Sequence, residues 1–352
     1  MHYRLLLALL LVLNSCKPES ELKEDISPVT GIELLEISND SLSVRALEFS
    51  GNTFWFAGNK GSYGSIIDSS KQLTKGRVIY EGNESLEFRS IAVTDNFTFI
   101  LTAGNPGLIY RISHENDSLA LVYKEVGETV FYDSLKFWND NEGIAMGDPQ
   151  DGCFTILMTK DGGNNWDKVP CEALPNMIEG EAAFAASNSN IAINGNHIWI
   201  VTGGAAARVW HSADKGKSWQ VMESPISQGG AMTGIYAVDF YDENLGVIMG
   251  GDWNAKEINT SNKAITRDGG KTWSLLADGV GPGYSSDISF VPGTQGQELL
   301  AVGTPGIWWS SDQGENWIQL SESGFYTAAF SQMDEGVLAG NNLISSFRLI
   351  RK

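Results

Sequence analysis

Seven short segments of the chain repeat one pattern, in which an apolar third position is flanked by polar or small residues. The third positions are Leu47, Ile91, Leu135, Phe184, Val238, Ile288 and Ala328, in segments that begin at residues 45, 89, 133, 182, 236, 286 and 326. This alternation is typical of a half-buried strand. Each segment is followed by a second apolar run that ends in glycine, at Gly58, Gly104, Gly147, Gly203, Gly250, Gly303 and Gly340. The pattern predicts seven copies of one small antiparallel sheet.

The spacing of these segments indicates the fold class. Successive segments begin 40 to 54 residues apart, which leaves room for four short strands in each copy. We therefore predict an all-β, seven-bladed β-propeller of four-stranded antiparallel blades, with the seven segments as inner strands. The last blade runs out of sequence after its third strand, FRLIRK, so residues 31–37, GIELLEI, are expected to supply the fourth strand and close the ring. Residues 31–352 are predicted to form one domain.

A second repeat, Ser/Thr-x-Asp-x-Gly-x-x-Trp, occurs at 159–166, 212–219, 266–273 and 310–317. In such a turn the aspartate can accept hydrogen bonds from backbone amides, the glycine tolerates positive φ, and the tryptophan covers the hairpin. Each residue type therefore has a structural role. These structural residues are Asp161, Trp166, Asp214, Trp219, Asp268, Trp273, Asp312 and Trp317.

The beginning of the chain has the pattern of an export signal. Arg4 precedes an apolar run from Leu5 to Leu13, and small residues then lead to Cys16. The string LNSC resembles a bacterial lipobox, which predicts a signal peptide over residues 1–16, lipidation of Cys16 and a polar tether over residues 17–30. The predicted location is the bacterial cell envelope, on the outer membrane. The alternative is an ordinary cleaved signal that leaves the protein free in the periplasm.

Two further cysteines lie at equal distances from one predicted turn. Cys153 and Cys171 have their midpoint at residue 162, inside the first of the four repeated turns. Paired strands would place them roughly opposite each other, and an oxidising compartment permits a disulfide if their Cα atoms lie within ~7 Å. Two buried free thiols are the alternative.

The charge of the chain excludes one class of partner. The 352 residues contain 24 Lys and Arg against 43 Asp and Glu, a formal net charge of −19, which repels nucleic-acid phosphates. The four histidines are scattered without the spacing of a metal site, and the glycine-rich runs open no predicted helix that could hold a dinucleotide. We therefore expect no nucleic acid, metal or cofactor, and a monomer whose membrane contact is the lipid anchor.

The repeated turn resembles the Asp-box, or BNR repeat, of sialidase-like β-propellers. This resemblance implies that the turns join third and fourth strands at one face, the box face, while the inner strands begin at the other end of the channel, the mouth. Longer strings, at 131–157, 179–187, 203–219 and 234–253, are similar to bacterial exported propellers related to the photosystem II stability and assembly factors. The similarity covers residues 31–352, with GYSS at 283–286 where that group usually has GYRS. Members are often labelled oxidoreductase or glycosyl hydrolase.

The mouth is the predicted place of function. Guanidinium groups can bind a polar ligand through paired hydrogen bonds, and aromatic faces can fix its orientation. Alternatively, charged side chains there only solvate the channel or pair with one another. The candidate ligand-binding residues are Arg45, Arg89, Asp133, Asp148, Glu181, Arg208, Tyr236, Asp252 and Tyr326.

These residues favour a noncatalytic binding or assembly module for a protein or a glycan. Assembly factors of the similar group look like clamps that hold partner polypeptides. The alternative is a glycan-active enzyme, a sialidase-like glycoside hydrolase that uses two carboxylates at the mouth. The Phe/Tyr-Arg-Ile-Pro motif of sialidases is absent from the sequence, so that no catalytic residue is assigned and the balance is against an enzyme.

Overall fold

The computed structural model describes residues 27–352, which form seven antiparallel sheets. The chain begins with β1 (Val29–Ser38), which belongs to the last blade. The first three blades contain β2 (Val44–Ser50), β3 (Thr53–Gly58), β4 (Ser62–Ile67), β5 (Leu73–Arg77), β6 (Phe88–Val93), β7 (Phe97–Thr102), β8 (Gly107–Ser113), β9 (Leu119–Glu125), β10 (Tyr132–Phe137), β11 (Gly143–Gln150), β12 (Cys153–Thr159) and β13 (Asp167–Lys168).

A 3-10 turn, Cys171–Ala173, follows the third blade. The fourth and fifth blades and the short strands beside them contain β14 (Glu181–Ala182), β15 (Ile191–Asn194), β16 (His197–Val201), β17 (Gly203–Gly204), β18 (Arg208–Ser212), β19 (Gln220–Glu223), β20 (Thr233–Phe240), β21 (Gly246–Asp252), β22 (Lys263–Thr266) and β23 (Ser274–Leu275). The last two blades contain β24 (Asp287–Phe290), β25 (Leu299–Gly303), β26 (Gly306–Ser310), β27 (Ile318–Ser321), β28 (Thr327–Gln332), β29 (Glu335–Ala339) and β30 (Ile344–Arg351).

The inner strands close a ring. Each of β2, β6, β10, β15, β20, β24 and β28 contacts the next, and β28 contacts β2. Buried apolar side chains fill the space between neighbouring blades, as in the cluster of Leu101 from the second blade with Leu135 and Ala145 from the third. The prediction of a seven-bladed, all-β propeller is confirmed.

The ring is closed by β1, as predicted. It pairs antiparallel with β30, from Val29 opposite Arg351 to Ser38 opposite Ile344, and the sheet has the order β1-β30-β29-β28. Arg351 adds a contact to the preceding blade, since its guanidinium donates to both carboxylate oxygens of Glu298 at 2.8 Å. Because β1 is a fourth strand and ends at the mouth, its first residue lies at the box face.

In all four repeated turns the aspartate accepts hydrogen bonds from the Ser/Thr hydroxyl two residues before it and from the amide four residues after it. The tryptophan indole donates within the turn in three of them, whereas the Trp166 indole has no hydrogen-bond partner in the described chain. In the third turn, Asp268 Oδ1 accepts from the Thr272 amide at 2.9 Å and from the Thr266 hydroxyl at 2.8 Å. The indole of Trp273 donates to the Gly270 carbonyl at 3.0 Å. The aspartates therefore hold the turns between third and fourth strands and do not face the channel.

A disulfide joins Cys153, at the start of β12, to Cys171 in the 3-10 turn, with their Cα atoms 5.7 Å apart. The β12–β13 register, with Met158 opposite Asp167, brings the two ends together as the hairpin symmetry suggests. The bond thus fixes the start of the long connection from the third blade to the fourth.

The prediction of an inner strand at residues 182–186 is wrong. Only Glu181 and Ala182 are extended there, in β14, and the inner strand of the fourth blade is β15. The chain between them, residues 183–190, enters the channel, and we call it the channel segment. The run AAFAA at 182–186 has the apolar pattern of a half-buried strand. Its small alanine side chains instead let this backbone approach the surrounding blades.

The predicted signal peptide, Cys16 and the tether up to residue 26 lie outside the described residues. Within residues 27–352, no helix has the length and apolar character needed to cross a bilayer.

Candidate binding site at the channel mouth

A cavity of about 280 Å³ opens at the mouth. It lies where inner strands begin and second strands end, which is the end of the channel predicted to carry function. Its walls combine two arginines and one carboxylate with aromatic and small apolar side chains. The lining residues are Arg45, Arg89, Phe131, Asp148, Ala182–Ala186, Ala231, Met232, Tyr236, Trp253 and Tyr284.

The channel segment forms the floor of this cavity. Hydrogen bonds tie it to four other blades, one through the backbone carbonyl of Ala186 and three through the side chains of Ser187 and Asn188. These bonds run from Arg45 Nη1 to the Ala186 carbonyl (3.1 Å), from Asn188 Nδ2 to the Ile91 carbonyl (2.7 Å), from Ser134 Oγ to Asn188 Oδ1 (3.0 Å) and from Ser187 Oγ to the Ser286 carbonyl (2.5 Å). The segment separates the mouth cavity from a second cavity at the box face.

Arg45 and Arg89 lie near each other at the start of the first two inner strands. The guanidinium of Arg45 stacks on the Tyr326 ring, 3.8 Å from its centroid. Arg89 Nη1 donates to the Ala185 carbonyl at 3.5 Å, and its Nε is buried without a hydrogen-bond partner. Burial and then the neighbouring charge of Arg89 lower the pKa of Arg45 from its usual value.

Two of the predicted acids lie beside the arginines. Asp148 lines the cavity and accepts the Ala183 amide at 3.0 Å, and burial raises its pKa. Asp133 is fully buried, and neither of its carboxyl oxygens has a hydrogen-bond partner within the described chain. Burial, followed by the charge of Asp148, raises the pKa of Asp133 well above its ordinary value.

Aromatic rings form the wall on the side of the fifth and sixth blades. Phe184 stacks on Tyr236 with centroids 4.1 Å apart, and Tyr284 meets the Tyr236 ring edge to face at 4.8 Å. The ring of Trp253 lies 5.3 Å from Tyr284 and is covered on one side by the Lys256 ammonium at 3.8 Å. A ligand at the mouth therefore meets π-faces opposite the two guanidinium groups.

Glu181 and Arg208, which the sequence placed in the ligand-binding ring, form a buried ion pair with each other. Arg208 donates from Nη2 and Nε to the two carboxylate oxygens, and neither residue lines the cavity. The same carboxylate accepts from the Thr202 hydroxyl at 2.7 Å and the Trp210 indole at 3.2 Å. Its acceptors are occupied within the protein, so that the pair fixes the start of the channel segment.

The remaining predicted residues lie around the cavity. Tyr236 is in its lining, and its hydroxyl donates to the Met232 carbonyl at 2.8 Å. Tyr326 supports Arg45 from outside the lining, and Asp252 Oδ1 accepts the Asn254 amide at 2.8 Å at the end of β21.

Sequence reasoning missed the apolar part of the site. Phe131 and Met232 precede inner strands, and Trp253 and Tyr284 lie in the strings GGDW and GYSS. Their position just before inner strands or just after a second strand is the signal that could have identified them.

The second cavity, about 240 Å³ at the box face, has a polar lining. Asp239 lines it and accepts the Phe240 amide at 2.9 Å and the Phe290 amide at 2.8 Å, which joins the fifth and sixth blades. The charged groups that act on the Asp239 carboxyl are Asp287 and Lys136. Burial raises the pKa of Asp239 to about 6.

We expect Asp239 to make the protein less stable as pH rises. Its pKa of about 6 exceeds the ~3.9 of an unfolded aspartate, so the folded chain holds the proton more tightly. This stabilisation is complete below about pH 4 and is lost as pH rises through 6, a change of roughly 3 kcal/mol over the whole range. Urea unfolding of the wild type and Asp239→Asn at pH 5 and pH 8 measures it. An equal pH dependence in both proteins would contradict the assignment.

Metal ligation finds no support among residues 27–352, where no group of three or more His, Cys, Asp or Glu side chains is placed to hold an ion. The chemistry available at the mouth is that of guanidinium, carboxyl and aromatic groups.

The fold and the mouth together define a seven-bladed β-propeller whose channel is closed by its own chain. Two solved structures share this fold. One is described as YCF48 bound to D1 peptide, with a TM-score of 0.66, 14% identity, and coverage of 92% of this chain and 98% of that one. The other, YCF48 from Cyanidioschyzon merolae, has a TM-score of 0.66 and 13% identity over 91% of this chain and 99% of that one. No protein-family model and no curated protein sequence matches the chain.

Proposed function

We propose that the protein is a noncatalytic binding module that holds a segment of a partner protein at the mouth of its channel. The observation that carries this proposal is the mouth cavity, which holds Arg45, Arg89 and Asp148 together with an aromatic wall. Of the two arginines, only Arg89 has a carboxylate of the described chain as near as 4.0 Å, that of Glu87. Interfaces use buried aromatic and arginine side chains as their main anchors. A propeller of the same fold has been solved with a bound peptide, which supports a polypeptide as ligand.

Exposed apolar side chains on the mouth side of the ring agree with a protein partner. They lie in the connections that the strand order places at the mouth. These are the connections that lead from an outer strand to the next inner strand and the connection between the second and third strands of the fifth blade. Such side chains contribute area around a central anchor. They are Ile79, Val126, Ile178, Met232, Ile258 and Val280.

The proposed lipid anchor would orient the mouth relative to the membrane. The chain enters the propeller at Val29, at the box face, and β1 then runs about 30 Å to the mouth at ~3.3 Å per residue. A tether from Cys16 would therefore join the face opposite the mouth. In this arrangement the protein holds its partner on the side of the ring away from the membrane of the cell envelope.

Selection from a displayed library of random peptides tests the proposal. The wild type should enrich peptides that lose affinity at least tenfold for Met232→Asp, because a negative charge replaces an apolar side chain at the cavity. The matched control is Leu121→Asp on the outer strand β9, since both side chains have similar exposure, 38% for Met232 and 42% for Leu121. Enrichment that is equal for both variants would contradict a mouth site.

A glycan-active enzyme is the second candidate function. The observation that favours it is the adjacent carboxyl pair, Asp133 and Asp148, whose pKa values are both raised, as in pairs that divide acid and base roles. Complete burial of Asp133 favours binding instead, because its carboxyl group cannot reach a substrate. Hydrolysis of a sialoside or polysaccharide that disappears in Asp148→Asn would establish the enzyme.

A further inference from the structure

The two arginines of the mouth have few direct partners within the protein, although the carboxyl group of Asp148 lines the same cavity. Arg45 has no carboxylate within 4.0 Å in the described chain, and the carboxylate nearest Arg89 is that of Glu87, 4.0 Å from Nε and half exposed. Each guanidinium has five N–H donors. The hydrogen bonds found for them are one each, to the carbonyls of Ala186 and Ala185. Donors and positive charge are both left for a ligand.

Arg89 is the clearest sign that the cavity binds a ligand. Its Nε is buried and has no hydrogen-bond partner, and a buried donor without an acceptor is unfavourable. The charge of Arg89 acts on Asp133, but the two side chains are more than 4.0 Å apart and form no ion pair. Because Nε itself has almost no accessible surface, an anion in the cavity would pair with the guanidinium through its terminal nitrogens, whose one hydrogen bond within the described chain is 3.5 Å long.

The rest of the cavity requires an apolar body on that anion. Phe131, Phe184, Met232 and Trp253 contribute to its lining, together with a row of alanines. Its volume of about 280 Å³ is below the ~300–1,000 Å³ of drug-sized ligand sites. It therefore suits one amino-acid residue rather than a longer stretch of chain.

We propose that the mouth cavity binds a single anchor residue of the partner, with a carboxylate between Arg45 and Arg89 and an apolar side chain against Phe184 and Trp253. The inference rests on the proposed function and specifies the chemistry of the bound segment. A guanidinium binds a carboxylate through two parallel N–H···O bonds, and the aromatic wall takes the apolar group. The carboxylate can come from a C-terminal residue or from an acidic side chain beside an apolar one.

The first test uses a minimal probe. Titration with 3-phenylpropanoate should shift the indole N–H signal of Trp253 in a saturable way, whereas 3-phenylpropanamide should bind at least tenfold more weakly, because it has lost the charge-assisted hydrogen bonds. Arg45→Gln and Arg89→Gln should each weaken the acid about 10- to 100-fold. Because both arginines also bond to the channel segment, the urea midpoint of each variant is measured, and binding is compared where every variant is folded. Arg348→Gln, at an exposed arginine with a 62% accessible side chain, is the control that removes the same charge. Equal binding of acid and amide to the wild type would overturn the inference.

The second test distinguishes the sources of the carboxylate. Peptides that end in Leu-Phe with a free carboxylate are compared with their amides, and capped peptides with internal Asp-Phe are compared with Asn-Phe. Preference for the first acid assigns a C-terminal residue, and preference for the second assigns an acidic side chain. Suppose that the binding of displayed peptides depends on Met232, but that these peptides have no carboxylate whose binding needs Arg45 and Arg89. The inference then fails and the proposed function stands. If no peptide depends on the mouth, both fail.

Discussion

Replacing Arg208 by leucine should lower the free energy of unfolding by about 3–5 kcal/mol, as expected when one partner of a buried ion pair is removed. The cause is Glu181, whose carboxylate has no accessible surface and would be left charged without its counter-ion. The loss is a large fraction of the ~5–15 kcal/mol that stabilises a typical domain. Urea unfolding followed by tryptophan fluorescence measures it.

Two further variants separate structure from ligand binding at this pair. Arg348→Leu removes an exposed pair with Glu335 and should cost less than about 1 kcal/mol. The double replacement Glu181→Leu with Arg208→Leu should recover part of the loss, because no unpaired charge remains. If Arg208→Leu instead leaves stability unchanged and abolishes peptide binding, the pair belongs to the ligand-binding ring.

A chain that begins at residue 39 should fail to form a stable ring. It lacks β1, so the whole of β30 becomes an unpaired edge, and the apolar contacts of Val29, Ile32 and Leu34 are lost. Complete burial of one such side chain contributes about 1.5–3 kcal/mol, and since Val29 is buried while Ile32 and Leu34 are partly buried, the combined loss is about 5 kcal/mol. We expect aggregation, or an unfolding midpoint far below that of the wild type, in urea titration with light scattering.

The matched control is a chain that begins at residue 27. It lacks residues 1–26, which include most of the predicted tether, but retains β1, and it should unfold at the same urea concentration as the full chain. An equal midpoint for the chain that begins at residue 39 would show that the ring does not need β1.

Much of the fold could be predicted because the repeat is local. The apolar positions of β2, β6, β10, β20, β24 and β28 recur because every inner strand packs against its neighbouring blades, and the same rule applies in every blade. The ring closure was predictable for the same reason, since a blade with three strands leaves an edge that some other strand must cover.

The channel segment could not be predicted in this way. Ala182–Ala186 has the period of an inner strand, but these residues pack against several blades at once, and no local pattern contains those contacts. The error had a consequence for the site. Glu181 was expected to point into the mouth as the residue before an inner strand, whereas the displaced backbone pairs it with Arg208.

The aromatic wall was missed for a different reason. Sequence reasoning selected charged residues and tyrosines, because these bind polar ligands. Trp253 directly follows a second strand, but neither it nor Phe184 is of the residue types selected, and the two become part of the site where the fifth blade and the channel segment meet. Strand ends determine the position of four other lining residues, which is why the sequence could place them at the mouth: Arg45, Arg89, Asp148 and Tyr236.

The pairing of β1 with β30 also affects how the protein folds. Thr30 and Ile350, which are hydrogen bonded, lie 320 positions apart in the sequence. Contacts of such high sequence separation form late, since the entropy of closing a long loop is lost before they contribute. During synthesis the first strand to leave the ribosome has to wait for one of the last. The complete ring is therefore expected to assemble slowly and only after translation, while earlier blades already provide a partly ordered template.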